Sequence, residues 1–158
     1  YVNEEESARF LREAKKQGLN KPLIGETTLL GQKVIDLAGE AANGVRGHVG
    51  LTVDAPIPAV QAFAANFKKR FNYACDHNGI KGYTAVYFIK HVTEKIGKFD
   101  SKAFAEAAHG ITISPKDEPG ILMEATWDKN GDIDRISFLG EVVEGKQKIV
   151  ETLPKLNK

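Results

Sequence analysis

The amino-acid sequence predicts an α/β fold with a mostly parallel sheet flanked by helices and an antiparallel hairpin region near the C-terminus. Two observations predict it. In the first third of the chain, helical hydrophobic periodicity alternates with short apolar runs, which are typical of buried strands. After Gly110, a helical stretch gives way to strand-like segments joined by short polar turns.

The elements of the first third follow from this periodicity. Phe10, Leu11 and Ala14 recur at helical spacing, and Gly18 follows where a helix commonly ends. The elements predicted here are a helix over 4–17, a strand over 22–25, a helix over 30–41 that stops near 43–44, and a strand over 45–53. In this last strand, Thr52 is expected on the face opposite the apolar residues.

Two prolines mark the start of a helix in the second part of the chain. Pro56 and Pro58 predict a helix start, because a proline in the first turn sacrifices no hydrogen bond, and apolar residues continue through Phe71 as its buried face. The elements that follow are a turn over 76–79, helices over 85–96 and 101–109, and strands over 121–127 and 133–143. Asn130-Gly131 predicts a type I′ hairpin turn between these strands, and a second turn at 144–145 returns the chain.

Composition excludes several classes of partner. The 158 residues carry 22 Lys plus Arg against 21 Asp plus Glu, a formal net charge of +1. Nucleic-acid binding and attachment to a membrane surface need a concentrated surplus of basic residues, which is missing here. The 42% hydrophobic fraction is that of a folded globular chain, and the length by itself suggests one domain.

A candidate ligand-binding loop lies between the first strand and the second helix. Glu26, Thr27 and Thr28 follow Gly25 at the carboxyl end of the predicted strand, where open α/β sheets bind their ligands. Glu26 could meet an ammonium group, and the threonines could donate to a carboxylate. The alternative is that Thr27 or Thr28 only caps the helix and Glu26 is a solvated acid.

The sequence indicates neither a metal centre nor a catalytic set. Acidic and amide side chains alternate over 128–134 as in a calcium loop, but the later ligands are out of register, which favours a plain hairpin. The four histidines lack the spacing of a zinc site. The single cysteine, Cys75, has no evident base and orienting partner. We therefore expect no enzymatic activity and no cofactor.

Several segments together resemble the leucine/isoleucine/valine-type solute-binding proteins of bacterial ABC transporters. Each segment is individually weak, but their order and spacing agree with that family over essentially all of the chain. The segments that carry the resemblance are 7–19, 22–25, 38–45, 82–85, 127–132 and 142–146.

The resemblance implies a type I periplasmic-binding-protein-like fold of two α/β lobes joined by a hinge of three crossing segments. Proteins of this family are roughly twice as long, so the chain resembles their C-terminal portion. Residues 1–53 would belong to the second lobe, 54–110 would form a helical segment that returns to the first lobe, and 111–158 would return to the second lobe.

The resemblance also implies ligand-binding residues. An acidic residue that holds the ligand ammonium in amino-acid-binding members aligns with Thr27, beside Glu26. An aromatic cleft residue aligns near Asn3 or Tyr1, and a further cleft residue falls at His77 or Asn78. An amino acid and a related small organic acid or amide are therefore both plausible ligands.

The function implied is that of the extracytoplasmic receptor of an ABC importer, which captures a small solute between its lobes and docks on a membrane permease. A periplasmic or extracytoplasmic location is expected, with the signal peptide absent from this chain. A sensory or regulatory ligand-binding domain of the same fold is the alternative, and a small α/β enzyme is a third reading. Exposed apolar surface on a lone half would favour a homodimer.

Overall fold

The computed structural model describes residues 3–156, which form two compact units. Unit 1 contains the residues up to Pro56 together with Ser137–Leu153. Unit 2 contains Ile57–Ile136 together with the residues from Pro154 onward. The chain therefore passes from unit 1 to unit 2 and back, and each unit is built from segments that are distant in sequence.

The unit boundaries differ from the segment boundaries expected from sequence. The chain changes units after Pro56, Ile136 and Leu153, whereas we predicted divisions after residues 53 and 110. The assignment of the three predicted segments to particular lobes stays a prediction.

Unit 1 has a four-stranded mixed sheet with helices, which agrees with the predicted α/β class. The sheet predicted as mostly parallel has only one parallel pair among its described strands, because β6 and β7 return the chain in antiparallel pairing. Its strands follow the order β1-β2-β6-β7, with β1 and β2 parallel and the other neighbours antiparallel. The elements are α1 (Glu4–Lys16), β1 (Ile24–Glu26), a 3₁₀ helix (Thr27–Leu30), α2 (Gln32–Ala38), a second 3₁₀ helix (Gly39–Ala42), β2 (Arg46–Val49), β6 (Ser137–Val143) and β7 (Lys146–Leu153).

The first helix begins and ends as its sequence predicts. The side chain of Asn3 accepts a hydrogen bond from the backbone N–H of Glu6, and the Glu6 carboxylate accepts one from the N–H of Asn3. This reciprocal capping satisfies two donors that the helix itself leaves unpaired. Gly18 follows the helix with φ +75, a conformation that glycine adopts at little cost.

The elements after β1 are shorter than predicted. The helix expected over 30–41 is divided, because Gly39 adopts φ +59 and ends α2 before the second 3₁₀ helix begins. Strand β2 ends at Val49 rather than at Val53. Thr52 was expected on the outer face of that strand, but it lies beyond the strand and is only 3% exposed.

A row of three glycines crosses the sheet of unit 1, because Gly25 is in register with Gly47 and Gly47 with Gly140. The buried side chain of Leu30 lies on this row. A β-carbon at Gly47 would stand 2.9 Å from Leu30 Cδ1, and one at Gly140 would stand 3.0 Å from the same atom. At Gly25 it would stand 2.6 Å from Cδ2 of Leu29. The three glycines therefore let the first 3₁₀ helix lie directly on the strands.

Unit 2 combines three helices with a small antiparallel sheet in the order β3-β4-β5. Its elements are α3 (Pro58–Phe71), α4 (His77–Ile96), α5 (Ser101–Ala108), β3 (Thr112–Ile113), a 3₁₀ helix (Pro119–Ile121), β4 (Ala125–Trp127) and β5 (Ile133–Asp134). Helices α4 and α5 pack against the sheet around a core of Val92, Ile111, Ile113 and Ile121.

Two predictions for the helices of unit 2 need correction. The segment 76–79 was predicted as a turn, but Asp76 caps α4 by accepting from the N–H of Gly79, so the helix begins at His77. The face of α3 predicted to be buried is only partly buried, because Phe63, Ala64 and Phe67 are half-buried. Val60 is fully buried, whereas Phe71 is 49% exposed and packs on Phe67 and Tyr73.

Both predicted turns form, but the first is not the type I′ turn predicted for Asn130-Gly131. The β4–β5 loop spans five residues, in which the Asp128 carboxylate accepts from the N–H groups of Asn130 and Asp132. Only Gly131 of the predicted pair has a positive φ, so the turn is not type I′. The two-residue loop between β6 and β7 has positive φ at both Glu144 and Gly145, as a type I′ turn requires.

The β6–β7 turn gives a stability prediction. Gly145→Ala should lower the free energy of unfolding by about 1–2 kcal/mol, because alanine is strained at φ +72. Glu144→Asn should raise it slightly, because asparagine tolerates the left-handed region better than glutamate. Urea denaturation of the two variants and the native chain measures both effects. Equal stability of all three proteins would contradict the importance of this turn.

Candidate functional site

The carboxyl ends of β1 and β2 lie side by side in unit 1, because the two strands pair in parallel. Glu26 ends β1 and is in register with His48 of β2, and both residues are exposed. Glu26 occupies the N-cap position of the Thr27–Leu30 helix without a side-chain capping bond. Its carboxylate has no hydrogen bond or ion pair within residues 3–156, so it is available to a ligand cation.

The two threonines that follow Glu26 have different environments. Thr27 is 8% exposed, and its hydroxyl donates to the carbonyl oxygen of His48 over 3.3 Å. This bond joins the loop after β1 to the end of β2. Thr28 is half-buried. Neither threonine is the N-cap, so the capping role considered from sequence does not apply to them.

A polar cluster holds the chain where it leaves the sheet. The Gln147 side-chain amide donates to the Thr52 hydroxyl and to the Asp54 carboxylate, each over 2.9 Å. The backbone N–H of Asp54 also donates to the Thr52 hydroxyl. Desolvation raises the pKa of the Asp54 carboxyl, and the bonds from Gln147 and Thr52 oppose this rise. The cluster fixes the segment after β2 to β7.

The remaining predicted site residue described in unit 1 is used structurally. The Asn3 side chain is bound in the α1 cap, 3.0 Å from the Glu6 N–H. Tyr1, predicted as an aromatic ligand contact, lies outside the described residues. Within unit 1, the structure therefore brings Glu26, Thr27 and Thr28 to one edge of the sheet.

His77 and Asn78 belong to unit 2 and form the first turn of α4. His77 is half-buried and Asn78 is exposed. The neighbouring Cys75 is buried, and its thiol donates to the carbonyl oxygen of Asp76 over 3.4 Å. Burial and the Asp76 charge raise the pKa of the Cys75 thiol, which makes it a poor nucleophile.

The acidic loop over 128–134 is engaged in hairpin structure. Asp128 binds backbone N–H groups of its own loop, and Asp134 accepts from the N–H of Leu156. In the part of the chain that the structure describes, no three acidic, histidine or cysteine side chains converge as a metal site would require. The hairpin predicted from sequence is confirmed by the pairing of β4 with β5.

The cavity in unit 1 with a volume of about 200 Å³ lies away from these residues. It is lined by Pro22 and Leu23 before β1 and by Gly44 and Val45 before β2. These residues mark the amino ends of the strands, whereas ligand-binding loops of open α/β sheets follow the carboxyl ends. The Glu26 edge is therefore the better candidate site.

Sequence reasoning missed two residues of this region. His48 was considered only as a zinc ligand, although its place at the end of the neighbouring parallel strand could have indicated proximity to Glu26. Gln147 reaches Asp54 from 93 residues away in sequence, and no local signal predicts that contact.

Comparison with known proteins identifies a family match. Residues 2–147 match the family described as "Periplasmic binding protein". A search of curated proteins found no match. Within the described residues, none of the helices combines the length and apolarity needed to cross a membrane.

Solved structures share the fold at low sequence identity. A leucine-binding protein LivK from Thermotoga maritima superposes with a TM-score of 0.81 at 19% identity, over 96% of this chain and 43% of that one. A solute-binding protein of an ABC transporter from R. palustris, in complex with benzoate, gives 0.79 at 18% identity, over 100% and 43%. LivJ from Streptococcus pneumoniae, in complex with isoleucine, gives 0.76 at 15% identity, over 98% and 43%. The chain thus spans less than half the length of these proteins.

The Asp54 cluster predicts a pH-dependent stability. Because desolvation raises its pKa in the folded state above the ordinary 3.8, the unfolded chain ionises Asp54 first as pH rises. Its contribution to stability is therefore highest at low pH and falls as pH rises through the folded-state pKa. The stability of Asp54→Asn relative to the native chain should therefore rise as pH increases from below 3.8 through the raised folded-state pKa of Asp54, and then level off. Urea denaturation across this range tests it, and a pH-independent difference would contradict it.

Proposed function

This chain belongs to the periplasmic binding protein family, and on that premise we propose that it is part of an extracytoplasmic solute-binding receptor of an ABC importer. The family consists of non-enzymatic proteins that bind small molecules. The match to the family covers residues 2–147, so most of the chain supports this assignment.

The observation that carries the proposal is the free carboxylate of Glu26 at the edge of the unit 1 sheet. It stands at the carboxyl end of a parallel strand pair, exposed and beside His48. A carboxylate without an internal partner retains its full capacity to bind a ligand ammonium group. Thr28 follows it within the same loop and provides a hydroxyl for the polar end of the ligand.

The proposed ligand is an amino acid or a related small organic acid or amide. Similar structures include a leucine-binding protein and complexes with isoleucine and with benzoate. Glu26 favours a ligand with an ammonium group, because an acid without one would be repelled by this carboxylate. His77 and Asn78 remain proposed contributors from unit 2.

The proposed cellular partner is the permease of an ABC transporter, and the proposed location is the periplasm or the extracytoplasmic space. The periplasmic family and the ABC transporter components among the structural neighbours support both statements. Self-association of the isolated chain remains a prediction. It is supported by large apolar side chains that stand exposed in unit 2, such as Val86 and Ile89 on α4.

The role of Glu26 predicts a ligand-specific loss of affinity. In the full-length protein, Glu26→Gln should weaken binding of α-amino acids about tenfold or more, because a charge-assisted hydrogen bond is lost. Calorimetry with a panel of amino acids, aromatic acids and small amides measures the affinities. Acids that lack an ammonium group should bind the variant at least as tightly as the native protein.

A matched control is Glu5→Gln, which removes an exposed acid from α1 of the same unit. This variant should bind every ligand as the native protein does. Two outcomes would contradict the proposal: absence of any ligand across the panel with both units folded, or equal loss of affinity in the two variants.

A further inference from the structure

Unit 2 contains an apolar cavity of about 230 Å³ between α4 and the strands β4 and β5. One wall is formed by the rings of Phe88 and Trp127, which stack with centroids 4.1 Å apart. The buried side chains of Ile121 and Met123 also line it. An apolar cavity of about 150 Å³ is large enough to bind benzene, so this one can hold a small ring together with a polar substituent.

Two basic residues line this cavity, the exposed Lys81 of α4 and the half-buried Arg135. Arg135 follows β5 and contributes to the lining together with Ile133, whereas the intervening Asp134 accepts from the N–H of Leu156. In an extended chain, successive side chains point to opposite faces, so Ile133 and Arg135 share one face and Asp134 lies on the other. The Arg135 guanidinium has no hydrogen bond or ion pair with any side chain among residues 3–156. Burial lowers its pKa, but arginine stays protonated at neutral pH.

Two carboxylates of unit 2 are bound by lysines. The Glu124 carboxylate binds the Lys155 ammonium over 2.6 Å. The buried Glu118 carboxylate binds the Lys90 ammonium over 2.6 Å. Because Arg135 has no ion pair among residues 3–156, the cavity carries an uncompensated positive charge in partly desolvated surroundings, where an anion interacts more strongly than it would in water.

The cavity has the two parts that recognition of a carboxylic acid requires. A guanidinium presents parallel N–H donors that match the two oxygens of a carboxylate. The Phe88–Trp127 stack offers an apolar surface to the rest of the ligand. The hydroxyl of Thr84, which also lines the cavity, already donates to backbone carbonyl oxygens of its own helix. Arg135 is thus the half-buried cation that can pair with the ligand's carboxylate, whereas Lys81 stands exposed to solvent.

We propose that the Arg135 cavity is a binding site for a small monocarboxylate with an aromatic or branched apolar body. The carboxylate pairs with Arg135 and the body packs against Phe88 and Trp127. This site is built entirely from residues of unit 2 and is separate from the Glu26 loop of unit 1.

Fluorescence tests the proposal directly, because Trp127 is the only tryptophan in the 158 residues. Titration of the native chain with phenylacetate should change the tryptophan emission saturably. Phenylacetamide, which has the same shape without the charge, should bind about tenfold more weakly or worse. Arg135→Gln should reduce this preference, because only the exposed Lys81 then supplies positive charge to the cavity, whereas Arg9→Gln, an exposed arginine of unit 1, should preserve it.

Three outcomes overturn the proposal. The first is no saturable change with phenylacetate, and the second is equal affinity for phenylacetate and phenylacetamide. The third is a phenylacetate response that Glu26→Gln removes, since binding would then belong to the unit 1 loop. If circular dichroism shows that Arg135→Gln is unfolded, Arg135→Lys keeps the charge and should retain the preference for phenylacetate in weakened form. The comparison of phenylacetate with phenylacetamide on the native chain tests the preference for a carboxylate without any variant.

Discussion

The close packing of Leu30 on the glycine row of unit 1 is the contact on which the candidate site depends. Gly47 and Gly140 are register partners on neighbouring strands, and each leaves room for the same leucine side chain. A β-carbon at either position would force the buried Leu30 side chain to shift from its place on the strands. Because this helix begins immediately after Glu26, its position on the strands also fixes where the Glu26 carboxylate stands.

Hydrogen bonds also hold the loops after β1 and β2 in place. The Thr27 hydroxyl joins the loop to the end of β2, and Gln147 ties the segment after β2 to β7 through Thr52 and Asp54. These bonds satisfy polar groups at the edge of the sheet where strands give way to loops. Glu26 lies among these fixed contacts with its own carboxylate unpaired in the described chain, which is the arrangement expected of a preorganised ligand-binding group.

Local signals in the sequence predicted the α/β class and the helices with strong caps, because periodicity and capping are properties of neighbouring residues. The start of α4 differs from the prediction, because the 76–79 segment has turn-forming residues while its Asp76 caps the helix instead. The location of Glu26 followed from strand order, but its relation to His48 required the strand register. The contact of Gln147 with Asp54 joins residues that are 93 positions apart in sequence, so no local pattern predicts it. The cavity around Arg135 arises from tertiary packing, which hydrophobic periodicity does not predict.

A double-mutant cycle between Gly47 and Leu30 tests this account most directly. Gly47→Ala alone should lower the free energy of unfolding by about 1–3 kcal/mol, because the added methyl group meets Leu30. Leu30→Ala alone should cost about 2–5 kcal/mol. In the Leu30→Ala background, the methyl group finds space, so the cost of Gly47→Ala should shrink by about 0.5–3 kcal/mol. Strictly additive costs in urea denaturation would show that the packing of Leu30 on the glycine row does not constrain the site.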